Sequence, residues 1–457
     1  MTRFIRQYRI IIGLILFWVL CSAYAPPLTY VVLPLSVLLL RRREMWAEML
    51  FGFLICLVLS DMHQDIRPMA VMKTAKYTYI IVLALIFFSD QERFKPLARI
   101  FPLFLPFFVY AFFPIIRSVS PISSVEKTIS YALLFLVVPN LVLFNFRKYG
   151  WEFFRDLIWF IVLILVSQQL LRVFAPPGWS IIDERFRGYF GNPNGLAIFV
   201  YLTFVLFVVV NQLRSDLFSK TAKLFIYGLL IYYIITCGAR TSLMSTLMFL
   251  LFIQFFRVST FLGIISFVAF IGIGEVISSN LPTIISAFGL QEYLRVDTIA
   301  DGSGRYMAWN YAWQQINEKG FFFFGGGFDN EYWLMYEARH YLSKLGHQGG
   351  VHNSYLAFWL NTGIVGLFLY LRGFILVFIK ATKETPVAMA IMFSVLFSIL
   401  YESWLAGSLN PYTILLLIIL TIVSEEEILG SAKLAAPDEE QEEQASETVP
   451  QLILPAR

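Results

Sequence analysis

Charge is what this sequence has least of. Of 457 residues, 14% are Asp, Glu, Lys or Arg, while 58% are hydrophobic and the mean hydropathy is +0.70. A water-soluble domain carries roughly 25% charged and 45–50% apolar residues. The shortage excludes a single soluble core, which could not hide so much apolar surface. The net charge of +4 is too small to mark a nucleic-acid partner. Cysteine is scarce too: Cys21, Cys56 and Cys237 lie in or beside apolar runs, with no CxxC pair. They read as three inert membrane-buried thiols. The chain has no Asp-x-Asp pair and no HExxH, so nothing advertises a metal, and no cofactor is implied. A Walker motif is missing as well. Gly325-Gly326-Gly327 lacks the Lys-Ser/Thr of a phosphate-binding loop and reads as a flexible loop. No internal repeat and no separate soluble domain is visible.

What is present is a succession of apolar runs. They are continuous rather than alternating, which predicts helices and not barrel strands. In lipid every backbone polar group must be satisfied within the protein, and a helix does this alone. The expected fold class is therefore all-α, a polytopic transmembrane helical bundle. About fourteen segments run from Tyr8–Tyr24 to Tyr412–Val423, and several are shorter than the ~20 residues of a straight span, so the expected count is about 12–14. Arg3, Arg6, Arg9 and Ala23-Tyr24-Ala25 imitate a signal peptide. The second apolar run that follows at once, ending in Arg41-Arg42-Arg43, reads instead as a helical hairpin.

Positive charge orders the loops. With the N-terminus inside, the inner connections hold Arg41-Arg42-Arg43; Arg93, Lys95 and Arg99; Arg147, Lys148 and Arg155; Arg214, Lys220 and Lys223; Arg257; and Arg372, Lys380 and Lys383. The outer loops are not free of it, since Arg67, Lys73, Lys76, Arg117 and Lys127 lie there. The expected topology is N-in, C-in. One membrane domain covers 1–434, including a long external loop, 278–354, with helix expected around Met307 to Asn317. An acidic tail, 435–457, reads as disordered and cytoplasmic.

Four motifs distant in sequence then fall on the external side. They are Arg185-Phe186-Arg187-Gly188 through Asn192-Pro193-Asn194; Gly238-Ala239-Arg240-Thr241-Ser242; Gly302-Ser303-Gly304-Arg305; and His352-Asn353-Ser354-Tyr355. Guanidinium groups make forked hydrogen bonds to phosphate and stay charged. Several at a headgroup boundary suit a lipid diphosphate, and a His beside them can accept a proton near neutral pH. Each residue also has a plain reading. An Arg at a span end commonly snorkels to the headgroups. His352 alone is a loop or capping residue, with His347 and His340 as rivals, and Asn194 can cap a helix. Only the combination favours a site.

In these residues the chain resembles the bacterial O-antigen ligase and O-antigen polymerase superfamily. The likeness rests on Arg187-Gly188-Tyr189-Phe190-Gly191-Asn192-Pro193-Asn194, on Gly238-Ala239-Arg240-Thr241-Ser242 and on Ser303-Gly304-Arg305 with Trp309. It continues through Gly325-Gly326-Gly327-Phe328 and His352-Asn353-Ser354-Tyr355 to Gly363-Ile364-Val365-Gly366. It covers about Arg185 to Leu371; Cys237-Gly238-Ala239 departs from the family's usual Thr-Gly-Ser type of run. The resemblance implies a metal-independent inverting glycosyltransferase of the GT-C type in the bacterial inner membrane, with a periplasmic active site. The donor would be a glycan on undecaprenyl diphosphate. The acceptor would be lipid A-core in the ligase branch, or a second lipid-linked glycan in the polymerase branch. By the same resemblance His352 would be the base, Arg305 and Arg240 would act on the diphosphate, and Arg187, Asn194, Gly304 and Asn353 would bind substrate. A flippase of lipid-linked glycans is the alternative from another class, and an envelope scaffold a third. A transporter would be expected to carry carboxylates within its spans, whereas Glu275 and Glu402 lie near span ends.

Overall fold

The computed structural model describes residues 2–62, 69–269, 287, 305–344, 349–382, 385, 387–407 and 409–434. Nearly every apolar run forms a helix. Before the first long gap they include α1 (Arg9–Tyr24), α2 (Pro26–Arg42), α3 (Trp46–Ser60), α4 (Met72–Ser89), α5 (Ile100–Ala111), α6 (Pro121–Tyr149), α7 (Trp151–Phe174), α8 (Pro193–Leu213), α9 (Lys220–Cys237) and α10 (Arg240–Val258). After it come α11 (Arg305–Glu318), α12 (Asn330–Glu337), α13 (Ser354–Thr382), α14 (Val387–Tyr401), α15 (Pro411–Ser424) and α16 (Glu426–Leu434). The only strands among the described residues are β1 (Ile181–Ile182) and β2 (Arg185–Phe186), paired antiparallel. Among the described residues, eight helices are long and apolar enough to cross a membrane, and shorter apolar ones accompany them. This is a multi-pass, all-α membrane protein.

Burial sorts the helices. Every residue of α3 is buried, and α8 and α15 are buried almost throughout. Helices apolar on every side belong in the middle of a bundle, and that position lets α3 and α15 be short. Fifteen residues rise only about 22 Å, less than the ~30 Å hydrocarbon layer, but a helix enclosed by protein need not span it alone. The outer helices instead turn large apolar side chains outward, among them Leu16, Leu85, Val109 and Phe368. The opening pair is a hairpin, pinned where Trp18 Nε1 donates to Ser36 Oγ at 2.9 Å. All three cysteines are free and buried.

The two ends of the bundle differ. At one, the connections flanking α2, α5, α6 and α15 are tied by ion pairs: Arg41–Asp90 (2.5 Å), Arg93–Glu44 (2.9 Å), Arg147–Glu427 (2.9 Å) and Arg99–Glu426. At the opposite end of the same helices, α6 begins at Pro121 rather than Ile129. Its added turn holds Lys127 and Ser123 against Asp329, with Ser123 Oγ 2.5 Å from the carboxylate. Residues 305–344 carry a small core of their own, in which Ala308, Ala312, Ile316, Leu334 and Leu342 pack together. The helix expected around Met307 to Asn317 is α11. The rest of the loop before it, and the tail 435–457, lie outside the described residues.

Gly325-Gly326-Gly327 overturns its reading as a flexible loop. It is pinned against a break in α13 at Gly363, where φ is 69° and ψ 179°. An unbroken helix would pair Ile364 N–H with Leu360 O and Val365 N–H with Asn361 O. Here Ile364 N donates to Phe322 O (2.8 Å) and Val365 N to Phe323 O (3.4 Å). In exchange, Leu360 O accepts from Gly326 N (3.0 Å) and Asn361 O from Gly327 N (2.7 Å). The passing segment thus satisfies these four backbone groups and Tyr110 Oη donates to Thr362 O at 3.0 Å, the kind of compensation a broken helix in a membrane protein requires.

Candidate functional site

Three carried-over residues meet at Glu402, which the sequence marks only as a carboxylate near a span end. Glu402 follows α14 directly and is buried. Its Oε1 accepts from Arg305 Nη2 at 2.8 Å and from Asn194 Nδ2 at 3.1 Å, and its Oε2 lies 3.2 Å from His352 Nδ1. Ser354 Oγ donates to the Glu402 backbone oxygen at 2.8 Å. Residues 194, 305, 352 and 402 come from four separate elements, so the carboxylate joins three of the four motifs. The remaining motif is reached through Arg185. Its Nη2 donates to Asn194 Oδ1 (2.6 Å) and its Nε to Cys237 O (2.7 Å), beside the turn that leads into Arg240. Arg240 itself opens α10 and is half-buried.

Local structure explains how the side chains are aimed. Asn192, not Asn194, caps α8: its Oδ1 accepts from Gly195 N at 2.8 Å, and Pro193 takes the first helical position, where no N–H is needed. That leaves Asn194 to reach Glu402. Asn353 does the same work for α13, accepting from Leu356 N at 3.0 Å. It is buried and serves as a helix cap. His352 has φ +48°, a backbone state costing a non-glycine residue about 1–3 kcal/mol. The contacts around it maintain that state: Glu331 Oε1 accepts from Val351 N (3.2 Å), and Trp309 Nε1 donates to Val351 O (2.9 Å). Gly349 crowds the other ring nitrogen, since a Cβ there would come within 2.9 Å of His352 Nε2.

The electrostatics are graded from inside to outside. Side-chain exposure is 8% for Glu402, 17% for Arg305 and 28% for His352. Burial raises the Glu402 pKa, but the His352 and Arg305 contacts outweigh it and hold the carboxyl below its usual range. An ionised carboxylate only accepts hydrogen bonds, so its partner His352 Nδ1 carries the hydrogen. For Glu331 burial prevails, and its carboxyl is pushed up. The arrangement is a histidine held by a carboxylate, with a cation on the same carboxylate. It can accept a proton and steady the resulting imidazolium.

Not every carried-over residue joins the cluster. Arg187 is buried, and its guanidinium donates to the backbone oxygens of Gly178 (2.7 Å), Gly191 (3.2 Å) and Trp179 (3.3 Å). It organises the loop before α8, while Arg185 faces the site. Gly304 and the rival His347 lie outside the described residues. His340 sits on a short helix, Arg339–Lys344, and is not among the partners of Glu402. The sequence alone assigns no site role to Glu402, Arg185 or Glu331. Arg185 stands inside a quoted motif, but nothing local ranks it above Arg187. Glu402 had one signal, a carboxylate flanked by Tyr401 and Trp404 within an apolar stretch. No family model matches the chain, and no curated protein matches it.

Proposed function

We propose that this protein is a glycosyltransferase of the membrane that moves a glycan from a lipid diphosphate carrier to a hydroxyl acceptor. The observation that carries the reading is the junction at Glu402 of His352, Arg305 and Asn194, extended by Arg185 toward Arg240. An acceptor hydroxyl gives its proton to His352 Nε2, and its oxygen attacks the anomeric carbon. The bond from that carbon to the diphosphate oxygen breaks, and the electron pair leaves with the lipid diphosphate. A single displacement inverts the carbon. Glu402 holds the imidazole by Nδ1–H and stabilises its protonated form. Arg305 has one N–H group on Glu402 among the described residues, and a guanidinium has five. With Arg185 and Arg240 it offsets the charge on the departing diphosphate.

The family resemblance narrows the donor to undecaprenyl-diphosphate-linked glycan and the acceptor to lipid A-core, or to a second lipid-linked glycan. It implies a site at the periplasmic face of a bacterial inner membrane in a GT-C-like bundle, and the apolar runs and loop charges support about 12–14 spans with N-in, C-in topology. The test is a gel of surface glycans from cells whose only copy carries His352→Ala at matched protein level. Loss of the glycan ladder is expected. Bare lipid A-core with polymer left on its carrier indicates a ligase, and core bearing a single repeat indicates a polymerase. A normal ladder would exclude His352 as the base.

A further inference from the structure

The end of the bundle away from Glu402 holds a cavity of about 300 Å³ where α5, α13 and α15 meet. Its lining divides by chemistry. Ile100, Leu103 and Val377 form an apolar wall, while Arg99, Lys380, Ser424 and Glu426 form a polar rim. Arg99 and Glu426 pair with each other, one of their two contacts being 3.2 Å. Of the lining charges these two nearly cancel and Lys380 remains, with Glu425 buried behind the rim, its Oε1 accepting from Arg99 N at 2.7 Å. Lys380 is exposed and has no hydrogen-bond or ion-pair partner among the described residues. Ser424 Oγ is buried with no hydrogen-bond partner among the described residues, an unfavourable state for a hydroxyl. Nearby, Leu105, Ile375 and Ile379 turn outward on the same two helices, so the apolar wall continues onto the lipid-facing surface.

A cation, a hydroxyl donor and an apolar channel open to lipid fit one class of molecule. We propose that this cavity binds the phosphate of an anionic glycerophospholipid. The phosphate lies between Lys380 and Ser424, and an acyl chain runs along Leu103 and Val377. A free phosphate shares the headgroup chemistry but leaves the apolar wall without an occupant. The lipid would clamp α5 and α13 to the end of α15, and it acts far from the Glu402 cluster. The inference does not depend on the glycan reading.

The full chain, purified in a neutral detergent, is titrated by native mass spectrometry with phosphatidylglycerol, with phosphatidylcholine of the same acyl chains, and with inorganic phosphate as competitor. The first phosphatidylglycerol is expected to bind wild type about tenfold more tightly than Lys380→Ala, by loss of a charge-assisted contact. It should also prefer wild type to Ser424→Ala, and phosphatidylcholine should bind wild type more weakly. Leu103→Trp, which fills the wall and keeps both cations, should lose the lipid as well. Unchanged lipid-free melting shows that each variant folds. Equal binding by wild type and Lys380→Ala overturns the proposal. So does displacement of the lipid by inorganic phosphate at similar concentration, which would mark a site for the free ion.

Discussion

At the scale of single residues, Glu402 carries two burdens that mutation can separate. Glu402→Ala leaves Arg305 largely buried without its carboxylate, and breaking a buried pair from one side costs about 3–5 kcal/mol. Arg305→Ala/Glu402→Ala removes both charges and should melt above Glu402→Ala in detergent. A double variant no more stable than the single one would mean that the pair is not the reason for the loss. Glu402→Gln keeps the shape and a hydrogen-bond acceptor but not the charge that steadies a protonated His352. Transfer should fall about 100-fold or more in a purified assay with little change in melting temperature. Gly349→Ala probes the other face of the ring. The new methyl would lie 2.9 Å from His352 Nε2, at a φ of +130° that alanine resists. The expected outcome is at least a tenfold loss of transfer, because in the proposed reaction the acceptor hydroxyl must reach that nitrogen; full activity would put the acceptor elsewhere.

At the scale of elements, most helices were legible in the sequence, because a long apolar run allows only one hydrogen-bonding solution in lipid. The start of α6 was not, since its first turns carry Ser123, Ser124 and Lys127, which look like loop until Asp329 and Phe328 O are seen to receive them. The glycine triplet misled for a related reason. Glycine permits flexibility, but it equally permits two backbones to touch, and only the partner strand decides between the two. Of the candidate site, His352, Arg305 and Asn194 were legible as motif members. Their meeting point was not, because Glu402 lies in a short gap after α14 and its partners are at least fifty residues away in sequence. The break in α13 yields its own prediction. A Cβ on Gly363 would approach Phe323 O to 2.1 Å, with φ at +69°. Gly363→Ala should lower stability by more than about 2 kcal/mol. It should also reduce activity, since α13 carries the cap that follows His352. Thermal unfolding in detergent reads this directly, and an unshifted melting temperature would show that the crossing can relax.

At the scale of the whole molecule, the two ends of the bundle have different chemistry. One end is laced by surface ion pairs, each worth roughly 0–1 kcal/mol and replaceable. The other gathers a buried carboxylate, a strained histidine and arginines from three motifs. In the topology proposed from the charge bias of the loops the first end is cytoplasmic, and that proposal can be tested without reference to activity. The native cysteines are free and buried, so the chain offers little background to a thiol reagent. Asp183 is exposed on the loop near Arg185, and Ser215 is exposed just past the opposite end of α8. In intact cells a membrane-impermeant maleimide should label Asp183→Cys, and should label Ser215→Cys only after the membrane is opened. The reverse pattern would turn the molecule over and place Glu402 and His352 on the inner side, where a periplasmic glycan could not reach them. Labelling of both from outside would mean that α8, buried on nearly every face, does not carry the chain across the bilayer. Labelling of Asp183→Cys alone leaves the site where an outward-facing lipid diphosphate can meet it, and makes the arginines the first positive charges that diphosphate encounters.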